Sequence, residues 1–257
     1  MKKYLISIED VDSPRLYNFF GQTTFKGEIE NFKKFGVIGK QLNVEEYFKL
    51  AVAGQLKALT PGELGCTLSH LAALRDFLQS EDEYAIVFED DVIERFPIDL
   101  AQLNDLVTSL ALKPCFFLSL GGIQFKICDR VRGRYIDTTL IGEKILEVDS
   151  DFLENLAYAY AYIVDRKMAE LLLDYHQTPK IYDHWQELTN YTQPFSFYAC
   201  YLFDHPIIAN AKHLSYLESE RLACGAYAQN KSSYFRYWRR KLKKIFLNKF
   251  NGVRVPL

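Results

Sequence analysis

Three consecutive carboxylates, Glu89-Asp90-Asp91, close the apolar run Ala85-Ile86-Val87-Phe88. Like charges packed that closely raise each other's pKa or demand a cation. A hard divalent ion bound through oxygen suits such a group and would in turn hold a phosphate-bearing ligand. The plainer alternative is a solvated turn, since acid runs at strand ends are common. A second group lies upstream. On a helical wheel of about 100° per residue, Glu63, Cys66 and His70 share one flank, so that a His and a Glu could reach one ligand. Equally, Glu63 could serve only as a cap and His70 as a hydrogen-bonded neighbour of the core. Gly121-Gly122 offers either close backbone approach to a ligand or an ordinary turn.

These residues need rigid elements behind them. Four apolar residues bounded by charge read as a short buried strand ending at Glu89, and in open α/β sheets ligands bind beyond the carboxyl ends of strands. Tyr4 to Ile8 reads as a first strand with Ser7 near its end, followed by Glu9, Asp10 and Asp12. Helical character is expected near 15–20 and 43–53. The clearest helix starts at Thr60-Pro61-Gly62-Glu63, with Thr60 as N-cap, Pro61 in the first turn and Glu63 closing a capping box. Leu64, Leu68, Leu71, Leu74 and Leu78 define its buried stripe. A helix near 99–111, a buried strand at 115–120, a hairpin or irregular insertion over 126–150 and a strand at 157–164 follow. Asp165 is placed as cap of a helix through Leu173, and a short helix then leads to a strand near 195–201. Strands alternating with helices predict an α/β, mostly parallel, doubly wound sheet flanked by helices.

Composition narrows the class. At 257 residues, 49% hydrophobic and 25% charged, the chain has enough apolar material for one large globular domain. Aromatic residues reach 15%, which suits sugar stacking or a membrane surface. Five scattered cysteines without a CxxC pair argue against a disulfide framework or a zinc site and for a reducing compartment. The N-terminus holds too few apolar residues for a signal peptide, and no run approaches a membrane span. A cytoplasmic protein is expected. Nine of the 31 Lys and Arg lie in residues 231–257, which leaves 22 against all 33 acids in the rest of the chain.

The segment Leu59-Thr60-Pro61-Gly62-Glu63-Leu64-Gly65-Cys66-Thr67-Leu68-Ser69-His70, followed by Ile86-Val87-Phe88-Glu89-Asp90-Asp91-Val92, resembles the signature of the family-25 glycosyltransferases of bacterial lipooligosaccharide synthesis. The likeness runs from the Leu5–Ile8 strand to about Leu222. It includes Ala161-Tyr162-Ile163-Val164, Asp183, Pro206 and Ser215. The chain departs from the family in offering one arginine, Arg15, where a pair is usual, and Ile181-Tyr182-Asp183 in place of Pro-Val-Asp.

The resemblance implies a GT-A-like catalytic domain over 1–225 that transfers a hexose, galactose first among them, from a UDP-sugar to a lipooligosaccharide or LPS glycan with inversion. Asp91 would bind Mn²⁺ or Mg²⁺, with Glu89 facing the metal shell or the ribose and His213 completing the ligand set. Ser7, Arg15, Glu63, His70, Glu89 and Asp90 are the expected donor-binding residues, with Asp90 alternatively holding its loop. An inverting transfer needs a base; Asp183 is the first choice, with Glu187 beside it, although Asp183 could instead cap a helix. Glucosyl or N-acetylhexosaminyl transfer, and a non-catalytic glycan-binding protein of the same fold, are the alternatives.

Residues 226–257 read as a basic, aromatic membrane-association segment, with a basic amphipathic helix over 231–250. Tyr234, Trp238, Leu242, Ile245 and Phe246 share a face, with Arg239, Arg240, Lys243 and Lys244 mostly around it. Such a helix suits an anionic membrane, and the implied lipid-linked acceptor favours that reading, with the enzyme peripheral on the inner face of the inner membrane. A helix packed on the body with solvated charges is a further possibility. A nucleic-acid partner is not expected, because an acidic body would repel a phosphate backbone.

Overall fold

The computed structural model describes residues 1–55, 57–206, 220 and 234–254, with the side chains of 234–237 excepted. The elements run β1 (Lys2–Ile6), α1 (Pro14–Gly21), β2 (Phe32–Phe35), α2 (Val44–Tyr47, running into a π-turn at Phe48–Val52), α3 (Pro61–Gln79), β3 (Tyr84–Glu89), β4 (Ile93–Glu94) and α4 (Leu100–Ser109). They continue with β5 (Phe116–Ser119), β6 (Arg132–Leu140), β7 (Glu143–Val148), β8 (Ala161–Asp165), α5 (Arg166–Tyr175), β9 (Ser196–Ala199), β10 (Phe203–Asp204), α6 (Tyr234–Lys243) and β11 (Asn248–Lys249).

Nine strands form one sheet in the order β11-β6-β7-β9-β5-β8-β3-β1-β2, while β4 and β10 pair as a separate ribbon. The expected α/β sheet flanked by helices is present, and its pairing is mixed. β2, β1 and β3 are mutually parallel, as are β5 and β9. β8 runs antiparallel between β3 and β5. The 126–150 region is the β6–β7 hairpin.

Period-two alternation sorts each strand's side chains onto the two faces. Tyr4, Val87, Phe117, Tyr162 and Val164 pack with Leu71, Leu74 and Phe77 of α3 and with Met168, Ala169 and Leu172 of α5. Leu5, Ile86, Phe88, Leu118 and Ile163 pack on the other face with Leu16 and Phe19 of α1 and with Leu103 and Val107 of α4. The sheet is therefore covered on both sides, and its strand ends are left to build a site.

Local signals set α3 as expected. Thr60 Oγ1 accepts the Glu63 N–H at 3.2 Å, and Glu63 Oε2 accepts the Thr60 N–H at 3.0 Å, a complete capping box. Asp165 caps α5 by accepting the Met168 N–H at 2.8 Å. Gly65, inside α3, faces the loop after β2: a Cβ there would lie 2.4 Å from the Val37 carbonyl oxygen. Gly121 is likewise a packing glycine, since its Cβ would meet the Tyr160 hydroxyl at 2.2 Å, and Gly122 takes a left-handed turn at φ +88°. Neither glycine lines the cleft described below, so the turn reading of this pair holds.

The C-terminal segment joins the body. β11 pairs with β6 at the sheet edge. Arg239 pairs with Asp151 and Arg240 with Glu154, and Lys243 Nζ lies 2.8 Å from both Asp149 and Asp151. The basic side of α6 thus faces an acidic turn at 149–154, while Leu242, Ile245 and Phe246 are 62%, 73% and 78% exposed. Among the described residues no helix is long and apolar enough to cross a membrane.

Candidate functional site

A cleft of about 400 Å³ opens at the carboxyl ends of β1 and β3. Parallel strands direct their last residues to the same edge, which is where α/β sheets bind ligands. β1 delivers Ser7 and β3 delivers Glu89, Asp90 and Asp91. β8 begins at this edge because it is antiparallel: Phe88 stands opposite Ala161, and the Glu89 N–H donates to the Tyr160 carbonyl at 2.7 Å. Tyr158 and Tyr160 therefore join the lining, as do Glu63, Cys66 and His70 from α3.

Arg15 organises the acids. Ser13 caps α1 by accepting the Leu16 N–H at 3.2 Å, so Arg15 sits in the first helical turn facing the strand ends. Its Nε donates to Asp90 Oδ1 at 2.5 Å and its Nη2 to Asp91 Oδ2 at 2.8 Å. The Ser7 hydroxyl donates to Asp90 Oδ2 at 2.5 Å, so both Asp90 oxygens are committed. Asp90 holds its loop, with side chains as partners in place of backbone amides. Burial pushes its pKa up to about 6, against the pull of Arg15.

Asp91 is held differently. Its Oδ2 also faces His205 Nε2 at 3.2 Å, while its Oδ1 is buried with no hydrogen-bond partner among the described residues. Burial raises the Asp91 pKa, but His205 and Arg15 outweigh it and keep the group below the usual carboxylate range. For His205 the balance is reciprocal: burial opposes its charge, and Asp91 then Glu89 raise its pKa.

The ribbon places His205 there. Asp204 of β10 pairs with Ile93 of β4, which sets the next residue against the loop that carries Asp91. His205, which faces Asp91, is a cleft residue that the sequence reading does not single out. Its signal was an apolar run, Cys200 to Phe203, ending in Asp204-His205, the same pattern that marked Glu89. His213 lies outside the described residues. Glu220, also unforeseen, lines the cleft; it accepts the Gly62 N–H at 2.8 Å and pairs with Lys40 at 2.9 Å.

His70 is wholly buried at the cleft wall. Its Nε2 lies 3.3 Å from Glu89 Oε1 and its Nδ1 lies 3.0 Å from the Tyr162 hydroxyl. Its ring stacks on Tyr182 with centroids 4.1 Å apart. Asp183 lines the cleft and does not cap the following turn; its Oδ2 accepts the Tyr158 N–H at 2.8 Å. That bond holds Tyr158 in the left-handed region at φ 72°. Glu187 is not brought to the cleft. It is exposed, pairs with Lys180 at 2.7 Å and lies outside the cleft, because the 3₁₀ turn Gln186–Asn190 directs it to solvent.

The donor set fits a hard divalent cation. Asp91 Oδ1 is buried and unspent and His205 lies against the same carboxylate, while the Glu89 carboxylate lines the cleft turned toward His70.

The model of a protein family described as "Glycosyltransferase family 25 (LPS biosynthesis protein)" matches residues 1–185. Among solved structures, the UTP-bound UGPase from Acinetobacter baumannii is similar with a TM-score of 0.39 and 13% identity, over 95% of this chain and 93% of that one. The curated proteins offer no match.

Proposed function

The chain belongs to glycosyltransferase family 25, and we propose that it transfers a hexose, galactose first among the candidates, from a UDP-sugar to a lipooligosaccharide or LPS glycan. The observation that carries this reading is the meeting of Arg15, Asp91 and His205 at the end of β3, with one Asp91 oxygen buried and unpartnered. Asp91, His205 and Glu89 would hold Mn²⁺ or Mg²⁺, which neutralises charge on a departing nucleoside diphosphate.

In this reading the fold is GT-A-like and the donor lies along the ends of β1 and β3. Ser7 and Arg15 keep Asp90 and Asp91 in register, so the acids need not reorganise when the donor enters. The acceptor hydroxyl attacks the anomeric carbon from the face opposite the diphosphate. The glycosidic bond forms as the bond to the diphosphate oxygen breaks, and that oxygen leaves with the electron pair. The hydroxyl proton passes to Asp183, whose Oδ2 is oriented by Tyr158 N–H. Inversion at the anomeric carbon follows from this geometry of attack.

The acceptor's lipid would keep the enzyme at the inner face of the inner membrane. The outward apolar residues Leu242, Ile245 and Phe246 support that placement. The deciding experiment is calorimetry of UDP-galactose, UDP-glucose and UDP-GlcNAc, with Mn²⁺ and with chelator, on the wild type and Asp91→Asn. Metal-dependent binding of UDP-galactose that Asp91→Asn abolishes is the expected result. Binding of none of the three would overturn the donor assignment.

A further inference from the structure

We propose that Cys66, His70 and Glu89 form a second metal site in the cleft, selective for a thiophilic cation of the Zn²⁺ class and distinct from the oxygen-rich position at Asp91. One ligand atom from each of the three residues lies within 4.8 Å of the other two. Cys66 and His70 are one turn apart on α3 and project from the same face. Glu89 reaches them from the end of β3.

The set differs in kind from its neighbour. Thiolate and imidazole ligands select Zn²⁺ over Mg²⁺ or Mn²⁺. In a tetrahedral zinc site, bonds of about 2.3 Å to sulfur and about 2.0 Å to nitrogen put those ligand atoms roughly 3.5 Å apart. Rotation of the Cys66 and Glu89 side chains spans the difference, for both residues are only partly buried. Three protein ligands leave a fourth position, and it opens on the cleft that all three residues line.

The surroundings prepare His70 for this task. Its ring is clamped by the Tyr182 stack and is wholly buried. When Nδ1 carries the proton and donates to the Tyr162 hydroxyl, Nε2 presents a lone pair toward Glu89. Two acceptors then face each other at 3.3 Å, and a cation between them resolves the conflict. The Tyr162 hydroxyl can pass its own hydrogen to the Tyr182 oxygen 2.7 Å away, so the hydroxyl chain accommodates either tautomer. An outer-shell hydrogen bond of this sort fixes a metal-binding histidine.

Occupancy would draw Glu89 toward α3 and away from the Asp91 position, and so would oppose donor binding there. Thiophilic metal thus acts as an inhibitor with its own site. This inference holds whichever sugar the enzyme transfers.

The test uses the metal-free full-length protein and Co²⁺ as a spectroscopic stand-in for Zn²⁺. About one equivalent should give thiolate-to-cobalt charge-transfer absorption, which Zn²⁺ displaces. Cys66→Ser should lose the band, Asp91→Asn should keep it, and Tyr162→Phe should weaken Co²⁺ binding roughly 10- to 100-fold. No thiolate band in the wild type, a band that survives Cys66→Ser, or one lost in Asp91→Asn would overturn the proposal. Should Cys66→Ser fail to fold, alkylation of wild-type Cys66 gives the answer. Saturating Zn²⁺ should slow it at least roughly tenfold, as expected of a metal-bound thiolate, and an unchanged rate refutes the site.

Discussion

His205 Nε2 stands 3.2 Å from Asp91 Oδ2, and Arg15 donates to that same oxygen at 2.8 Å. Two partners on one oxygen leave Oδ1 for a ligand. His205→Ala should therefore weaken metal-dependent donor binding by about 10- to 100-fold. Asp91→Asn, which removes the charge itself, should cost more than about 100-fold in kcat/KM. Calorimetry and steady-state rates across a Mn²⁺ titration check both. Equal affinities in wild type and His205→Ala would remove His205 from the ligand set.

Asp183 offers a cleaner separation of roles, because its carboxylate accepts from a backbone amide. Asparagine keeps an acceptor oxygen for the Tyr158 N–H but cannot take a proton. Asp183→Asn should keep the thermal midpoint and donor affinity while lowering kcat by about 10²- to 10⁴-fold. Asp183→Ala should also destabilise the protein, by about 1–3 kcal/mol, since the Tyr158 amide loses its acceptor. An Asn variant with full activity would make Asp183 a holder of the loop only.

Gly65 should tolerate no side chain. Alanine would favour the helix by about 1 kcal/mol, yet its Cβ would fall 2.4 Å from the Val37 carbonyl oxygen and 2.8 Å from the Gly39 amide nitrogen. Backbone cannot yield as a side chain does, so the clash wins. We expect Gly65→Ala to be destabilised by about 1–3 kcal/mol in urea unfolding and to bind donor more weakly, because Val37 and Gly39 line the cleft.

The parts of this molecule that are legible in its sequence are those with local causes. The capping box and leucine stripe of α3, and the apolar run of β3, are each complete within a few residues, and they carry Glu63, His70, Glu89, Asp90 and Asp91, which the sheet pairing then gathers at one cleft. β2 escaped because Phe32-Lys33-Lys34-Phe35 is an edge strand whose two central lysines are exposed. His205 escaped because a two-residue ribbon with β4 places it, and such pairing leaves no periodicity to read. Glu187 is near Asp183 in the chain, yet the 3₁₀ turn that carries it directs it away from the cleft. The amphipathic character of α6 is plain in the sequence. Which face docks is not, for it depends on Asp149, Asp151 and Glu154 far upstream.

His176 sets a pH dependence. Burial first, then the charge of Lys180, depresses its pKa from 6.5 to about 3 in the folded state. Between those values the unfolded chain binds the proton and the folded chain does not, so stability from this group is full above about 6.5 and falls as the pH drops toward 3. Asp90, raised to about 6, acts with the opposite sign between its unfolded value and 6. The comparison must therefore be with His176→Phe, which preserves the stack on Tyr182. As pH is lowered below 6.5, the variant should gain on the wild type by up to about 1.4 kcal/mol per pH unit. Parallel urea-unfolding curves at every pH would refute this.

The C-terminal helix gives the last prediction, and its geometry inverts the usual ranking of residues. In a basic amphipathic helix lying free on a membrane, cations and apolar residues both contribute. Here Arg239, Arg240 and Lys243 are engaged with body carboxylates, whereas Leu242, Ile245 and Phe246 face solvent. Burying one such apolar side chain contributes about 1.5–3 kcal/mol, which is roughly tenfold or more in partitioning. Ile245→Ser and Phe246→Ser should each weaken co-sedimentation with anionic phospholipid vesicles by at least about tenfold if the side chain inserts fully. Arg240→Ala should weaken it far less and instead lower stability by about 1 kcal/mol or less, because its partner Glu154 is partly exposed. A larger loss from Arg240→Ala than from Phe246→Ser would mean that the helix leaves the body and binds by charge.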